Sequence, residues 1–71
     1  MTEIRTEMAG NVWKILVGRG EEVKAGQELV ILESMKMEIP VEAAQSGVVK
    51  EVLTEEGSFV DEGQVLMTFE E

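Results

Sequence analysis

Residues 33–40 read Glu-Ser-Met-Lys-Met-Glu-Ile-Pro, and they connect two apolar segments of the chain. Residues 28–33 and 38–43 have the composition and boundaries of strands. Only residues 34–37 then remain to reverse the chain direction. Tight hairpin turns favour glycine, asparagine or aspartate because they need positive φ, and this tip has none of them. A poor turn sequence between two strands indicates a tip that is kept for function, with Lys36 at its centre.

The sequence resembles itself when it is shifted by 37 residues, so that residues 10–33 overlie residues 47–70 without a gap. Glycines repeated at fixed offsets predict repeated backbone geometry, because glycine tolerates positive φ. Two copies are too few for a solenoid, and they suit a small closed barrel or a sandwich with a pseudo-two-fold axis. We therefore predict one domain, residues 1–71, with an internal duplication. The identical pairs are Gly10/Gly47, Val12/Val49, Leu16/Leu53, Gly20/Gly57, Val23/Val60, Gly26/Gly63, Gln27/Gln64, Leu29/Leu66 and Glu33/Glu70.

The repeat also decides between helix and strand for residues 27–38, whose Glu, Leu, Met and Lys content would suit a helix. The second copy carries Val65, Thr68 and Phe69, which prefer strands, and both copies should share one conformation. We predict strands throughout, and the broken alternation of residues 12–17 indicates either a bulge near Lys14 or a strand that curls round a barrel with both faces partly covered. The predicted strands cover residues 2–8, 12–17, a very short segment at Val23, 28–33, 39–43 (an edge or a strand start, because of Pro40), 48–53, 59–60 and 65–69.

Composition excludes several functions. The chain has 71 residues, no cysteine and no histidine, which rules out zinc sites, thiol chemistry and histidine-based acid–base catalysis. We expect no metal site and no catalytic residues. The net charge of −9 argues against nucleic acid or an anionic membrane as a partner, and it favours proteins with a basic docking surface. No apolar run has transmembrane length and no signal peptide begins the chain, so we expect a cytoplasmic protein.

The residues around Lys36 allow more than one interpretation. The hairpin could be an ordinary surface turn with a solvated lysine, or it could present the lysine for covalent modification. Met35 and Met37 could fold back into the core, or they could form an apolar collar for a partner enzyme. Glu33 and Glu38 could blunt the strand ends, or they could help a partner to find the lysine.

Residues 33–40 resemble the biotinyl attachment motif, whose hallmark is Met-Lys-Met. The Ser-Gly-Val-Val run at residues 46–49 and the paired glycines also match the biotinyl/lipoyl attachment domain, from about Ile4 to Phe69. The resemblance implies an all-β fold: a flattened barrel or sandwich of two four-stranded antiparallel sheets with quasi-two-fold symmetry. Ser34 departs from the family, which usually has alanine there. No insertion forms a protruding thumb and no Pro/Ala-rich linker comes first, so we expect a free-standing carrier.

The same resemblance implies a function. A biotin protein ligase would attach biotin covalently to Lys36, and Glu33, Ser34, Met35, Met37 and Glu38 would flank the lysine as recognition residues. The biotin would carry carboxyl groups from a biotin carboxylase to a carboxyltransferase, and the chain itself would not be an enzyme. One alternative is a lipoyl carrier for 2-oxoacid dehydrogenase or glycine cleavage chemistry, although those usually show Asp-Lys-Ala. Another is an unmodified interaction module.

Overall fold

The computed structural model describes residues 2–70, and these form eight strands in two four-stranded antiparallel sheets. We call the sheet ordered β5-β4-β2-β7 the lysine sheet and the one ordered β1-β8-β6-β3 the terminal sheet. Residues 2–70 include no helix that could cross a membrane. The strands are β1 (Thr2–Arg5), β2 (Gly10–Ile15), β3 (Glu22–Val23), β4 (Glu28–Ser34), β5 (Met37–Glu42), β6 (Gly47–Val52), β7 (Phe59–Val60) and β8 (Val65–Glu70).

The predicted all-β class is confirmed, and so is the edge position of the strand that contains Pro40. Of the two predicted architectures the molecule adopts the sandwich, since the sheets over residues 2–70 share no strand and do not close into a barrel. The helix alternative for residues 27–38 is wrong. The two ends of the predicted domain, residues 1 and 71, lie outside the described part.

The first strand is shorter than predicted. It ends at Arg5 instead of residue 8, because the side chain of Thr6 makes a local turn. The Thr6 hydroxyl donates to the carbonyl of Met8 at 2.7 Å and accepts from the Met8 amide at 3.2 Å. Such side-chain bonds compete with the ladder of a sheet. The chain thereby leaves the terminal sheet and enters the lysine sheet at Gly10.

Reciprocal hydrogen bonds relate the two halves by a quasi-two-fold axis. The Gly20 amide donates to the Val49 carbonyl at 2.8 Å, and the equivalent Gly57 amide donates to the Val12 carbonyl at 2.7 Å. Gly20 and Gly57 have nearly equal φ, 89° and 91°. Each half therefore donates one hydrogen bond to the other half and accepts the equivalent bond from it. A two-fold axis between the halves requires this reciprocity.

The sheets are irregular at matching places. The register of β2 against β4 shifts around Trp13, next to the predicted bulge at Lys14, and the register of β6 against β8 shifts around the equivalent Lys50. A second matching pair of shifts skips Leu29 in β4 and Leu66 in β8. A bulge bends and twists its strand, which lets each sheet wrap around the common core. The bulge at Trp13 also explains why the alternation of apolar residues in β2 is broken.

The core is a single layer of aliphatic side chains between the sheets, capped by Phe69. Gly47 lies where a side chain would not fit, since an added Cβ would come 2.9 Å from Cδ2 of Phe69. Close packing of this kind leaves little freedom to the strands that hold the core residues. The buried apolar residues are Ile4, Val12, Val17, Val23, Leu29, Val30, Leu32, Ala43, Val49, Val60, Leu66, Met67 and Phe69.

Replacing Gly57 by alanine tests the importance of its backbone conformation. No atom lies within 4 Å of an added Cβ, so the cost comes from the φ of +91° alone. We expect Gly57→Ala to lower the free energy of unfolding by about 1 kcal/mol in urea titrations. Gly18→Ala is the control, because Gly18 is not in the left-handed region and its nearest neighbour is Oε1 of Glu21 at 3.7 Å. Equal losses for both variants would contradict the explanation.

Candidate functional site

The hairpin between β4 and β5 turns in two residues instead of the predicted four. Ser34 pairs with Met37, which leaves Met35 and Lys36 as the two central residues. Their φ angles are 53° and 63°. Positive φ at both central positions is the mark of a type I′ turn, the form whose twist matches the twist of the flanking strands.

This turn uses residues that resist its conformation. Among residues 2–70 the other positions with positive φ are all glycines: Gly20, Gly26, Gly57 and Gly63. A residue with a Cβ loses roughly 1–2 kcal/mol in the left-handed region. The pairing of β4 with β5 therefore holds Met35 and Lys36 in a strained conformation. Strain of this kind is concentrated at functional sites.

The side chains at the tip extend into solvent. Met35 is 92% exposed and Met37 is 63% exposed, so the interpretation that either one fills the core is wrong. Lys36 is exposed as well. Within residues 2–70 its ammonium group has no hydrogen bond and no carboxylate within salt-bridge distance. The tip thus presents a primary amine between two apolar side chains.

Acidic side chains lie immediately below the tip. Glu33 and Glu38 are paired directly across β4 and β5, and both are exposed. Like charges in opposed positions destabilise a sheet, so this pair is not explained by strand stability. Ser34 differs from these residues because it is only half-exposed and its Cβ lies 3.5 Å from the place of a Cβ on Gly10. Ser34 therefore supports the base of the turn.

The structure brings all six residues of the predicted site, 33–38, into one hairpin end. Within the described part of the chain, no three acidic side chains come together in a way that could hold a metal ion. The sequence prediction missed Trp13 and Phe59, two exposed aromatic residues on the lysine sheet. The repeat could have identified them, because each aromatic residue in one copy overlies a charged residue in the other: Trp13 overlies Lys50, and Phe59 overlies Glu22.

A two-sheet sandwich that extends one lysine on a strained hairpin defines a class of carrier domain, in which the body presents an amine to other proteins. The comparisons with known proteins agree with this class. A family model described as "Biotin-requiring enzyme" matches residues 2–69, and the chain belongs to this biotin/lipoyl attachment family.

Three relatives illustrate the likeness. A biotin/lipoyl attachment protein of Bacillus subtilis is 56% identical over 64 residues, which cover 90% of this chain and 88% of that protein. The crystal structure of the Kluyveromyces lactis urea carboxylase matches 94% of this chain with a TM-score of 0.88 and 33% identity, and the match spans 6% of that enzyme. The lipoyl domain of the 2-oxoglutarate dehydrogenase complex from Azotobacter vinelandii also matches, with a TM-score of 0.75 and 32% identity. The match covers 89% of this chain and 80% of the lipoyl domain chain.

Glycine at the tip should relieve the strain. We expect Lys36→Gly to be more stable than Lys36→Ala by about 1 kcal/mol, because alanine keeps the Cβ that disfavours positive φ. For a domain of this size the difference corresponds to roughly 4–8 °C in the midpoint of thermal unfolding. Both variants lose the same amine, so the comparison isolates the backbone. Equal midpoints for the two variants would show that the tip is not strained.

Proposed function

We propose that residues 1–71 form a biotin carboxyl carrier domain and that Lys36 is its site of covalent biotin attachment. The observation that carries the proposal is the position of Lys36. It is one of the two central residues of the strained turn, it is exposed, and within residues 2–70 its amine is unpaired. An exposed primary amine fits an amide link to the carboxyl group of biotin. The membership in a family described as biotin-requiring supports this choice of acyl group.

A separate biotin protein ligase would carry out the attachment. Lys36 Nζ attacks the carbonyl carbon of an acyl adenylate of biotin, the amide bond forms, AMP leaves, and the amine loses a proton to solvent or to the ligase. The chain has no cysteine or histidine that could assist in this step. Its own contribution is orientation: the rigid sandwich fixes the position of the hairpin, and the turn directs the lysine away from the body.

Once bound, biotin supplies a ring nitrogen that can carry a carboxyl group between two enzymes. The protein residues keep the arm accessible, because Met35 and Met37, which flank the lysine in the sequence, extend into solvent themselves. We place the chain in the cytoplasm as a carrier for a multi-component carboxylase, with a biotin carboxylase and a carboxyltransferase as partners. The likeness to part of a urea carboxylase chain supports the role in carboxylation within this proposal.

A lipoyl carrier is the second candidate. The lipoyl domain of a 2-oxoglutarate dehydrogenase complex shares the fold with a TM-score of 0.75, below the 0.88 of the urea carboxylase. The Met-Lys-Met tip also favours biotin, since lipoyl domains usually carry Asp-Lys-Ala. Because the scaffold is common to both, the mass of the attached group decides between them. An unmodified chain would indicate an interaction module.

Lys36→Arg should abolish the modification. We expect intact-mass spectra after co-expression with a biotin protein ligase to show one biotinyl increment on the unaltered chain and none on the variant. Lys14→Arg and Lys50→Arg are matched controls, since both residues are exposed lysines on strands and should keep the increment. A biotinyl increment on Lys36→Arg would refute the site, and a lipoyl increment on the unaltered chain would favour the second candidate.

The opposed glutamates at the tip should make carrier docking sensitive to salt. We expect the carboxyl transfer rate at limiting carrier to fall about tenfold between roughly 0.05 M and 0.5 M salt, because screening weakens attraction to a basic partner. Replacing Glu33 and Glu38 by glutamine should flatten this dependence.

The same two strands provide the control for that experiment. Glu28 and Glu42 form a second opposed pair of exposed glutamates at the end away from the tip. Their replacement by glutamine changes the net charge equally and should leave the salt dependence steep. If both pairs flattened it to the same extent, net charge and not the tip would control docking.

A further inference from the structure

The outward side of the lysine sheet carries a strip of apolar side chains. Val12 and Leu32 are paired and point into the core, so the next paired positions, Asn11 and Glu33, point outward. Phe59 of β7 pairs with Asn11 and is 63% exposed.

The bulge in β2 adds a second aromatic residue to this side. Trp13 is 45% exposed, and Nζ of Lys14 lies 5.4 Å above the centre of its ring. Lys14 pairs with Ile31, and Ile31 pairs with Pro40, which extends the strip across β4 and β5. We call the outward side chains of Trp13, Ile31, Pro40 and Phe59 the aromatic face.

The quasi-two-fold axis provides an internal comparison. The terminal sheet repeats the strand pairing and the bulges of the lysine sheet, so strand formation makes the same demands on both outward sides. The residues nevertheless differ. In place of Trp13, Pro40 and Phe59, the terminal sheet carries the exposed residues Lys50, Glu3 and Glu22, and in place of the half-buried Ile31 it carries Thr68, which is buried. Val48, in place of Asn11, is an exchange in the opposite direction. The scaffold therefore does not account for the aromatic face, and an interaction does.

The aromatic face is continuous with the tip that carries Lys36. Phe59, Asn11, Glu33 and Glu38 form one row across the four strands of the lysine sheet. This row lies directly below the pair that closes the turn, and Glu38 follows Lys36 by two residues. A protein that takes the lysine amine into a cleft must therefore cover the row.

We propose that the aromatic face is the docking surface for the enzyme that acylates Lys36, and that this enzyme meets it with an apolar recess rimmed by basic side chains. The basic rim follows from charge complementarity with Glu33 and Glu38 and with the net charge of −9. The inference rests on the proposed modification of Lys36. Exposed aromatic residues are the type that most often dominates the binding energy of an interface.

The length of the arm selects the acylating enzyme over the enzymes that act later. An unmodified lysine reaches only the length of its own side chain, so the acylating enzyme has to approach the body of the domain closely. A lysine extended by biotin reaches further, and later enzymes can act with less contact to the sheet. The aromatic face consequently serves the acylation step, in which the arm is only the unmodified side chain of Lys36.

The test exchanges the residues of the two faces. The variant Trp13→Lys with Phe59→Glu places on the lysine sheet the residues that the terminal sheet tolerates at the same backbone positions, and its net charge is unchanged. With a purified bacterial biotin protein ligase, biotin and ATP, we expect its KM as a substrate to rise about tenfold or more, with kcat within about twofold of the unaltered chain. Phe59→Ala alone is the milder variant, with a smaller rise in KM in the same direction.

The reciprocal exchange is the matched control. Lys50→Trp with Glu22→Phe creates an aromatic pair on the terminal sheet, which does not contain the strands of the tip, and should leave both KM and kcat unchanged. Thermal unfolding of all variants checks that each one is folded. Unchanged KM in both Trp13→Lys/Phe59→Glu and Phe59→Ala would overturn the docking surface while leaving Lys36 as the attachment site. Absence of biotin on the unaltered chain would overturn both proposals.

Discussion

The pairing of β4 with β5 is the constraint on which the tip depends. Val30 and Leu32 of β4 are completely buried, and they pair with Val41 and Ile39 of β5. A slip of one residue would move these side chains to the outward side, so the register cannot change without loss of the core. With the register fixed, the chain has two residues in which to turn, and both must adopt positive φ. The core thus determines the position of Lys36, although no core residue lies at the tip.

The strain of the two-residue turn sets how much stability the rest of the fold must supply. Two residues in the left-handed region cost a few kcal/mol at most, against a total stability of about 5–15 kcal/mol for a typical domain. That is a large share for 71 residues, and a loosely built hairpin would relax. The bond from Gly57 to Val12 ties β2, the neighbour of β4, to the second half of the chain, and the bond from Gly20 to Val49 ties β6 to the first half. An internal duplication is our proposal for the origin of this arrangement.

Much of the fold could be predicted from the repeat. Glycines at equal offsets indicated equal turns. The broken alternation around Lys14 indicated a bulge or a curled barrel strand, and the structure has a bulge at Trp13. Three features could not be predicted, for physical reasons. The two-residue turn contradicts the preferences of Met35 and Lys36, so local rules pointed to a longer loop. The exposure of the methionines was undetermined because a methionine suits a core as well as a contact surface. The early end of β1 depends on a single hydroxyl, that of Thr6.

The aromatic face shows how the two equivalent sides of a quasi-symmetric scaffold can take on different functions. The fold offers two equivalent outward sides, and the chain makes only one of them aromatic, the side beside the strained tip. If the first enzyme needs the aromatic face and later ones need only the extended arm and the glutamates at the tip, one domain can meet two opposed requirements. It is recognised closely once, while its arm is short, and it is then free to bind weakly and leave quickly at each turn of a shuttle. A domain with apolar docking surfaces on both sheets would be recognised by the first enzyme, but it would dissociate too slowly from the later ones.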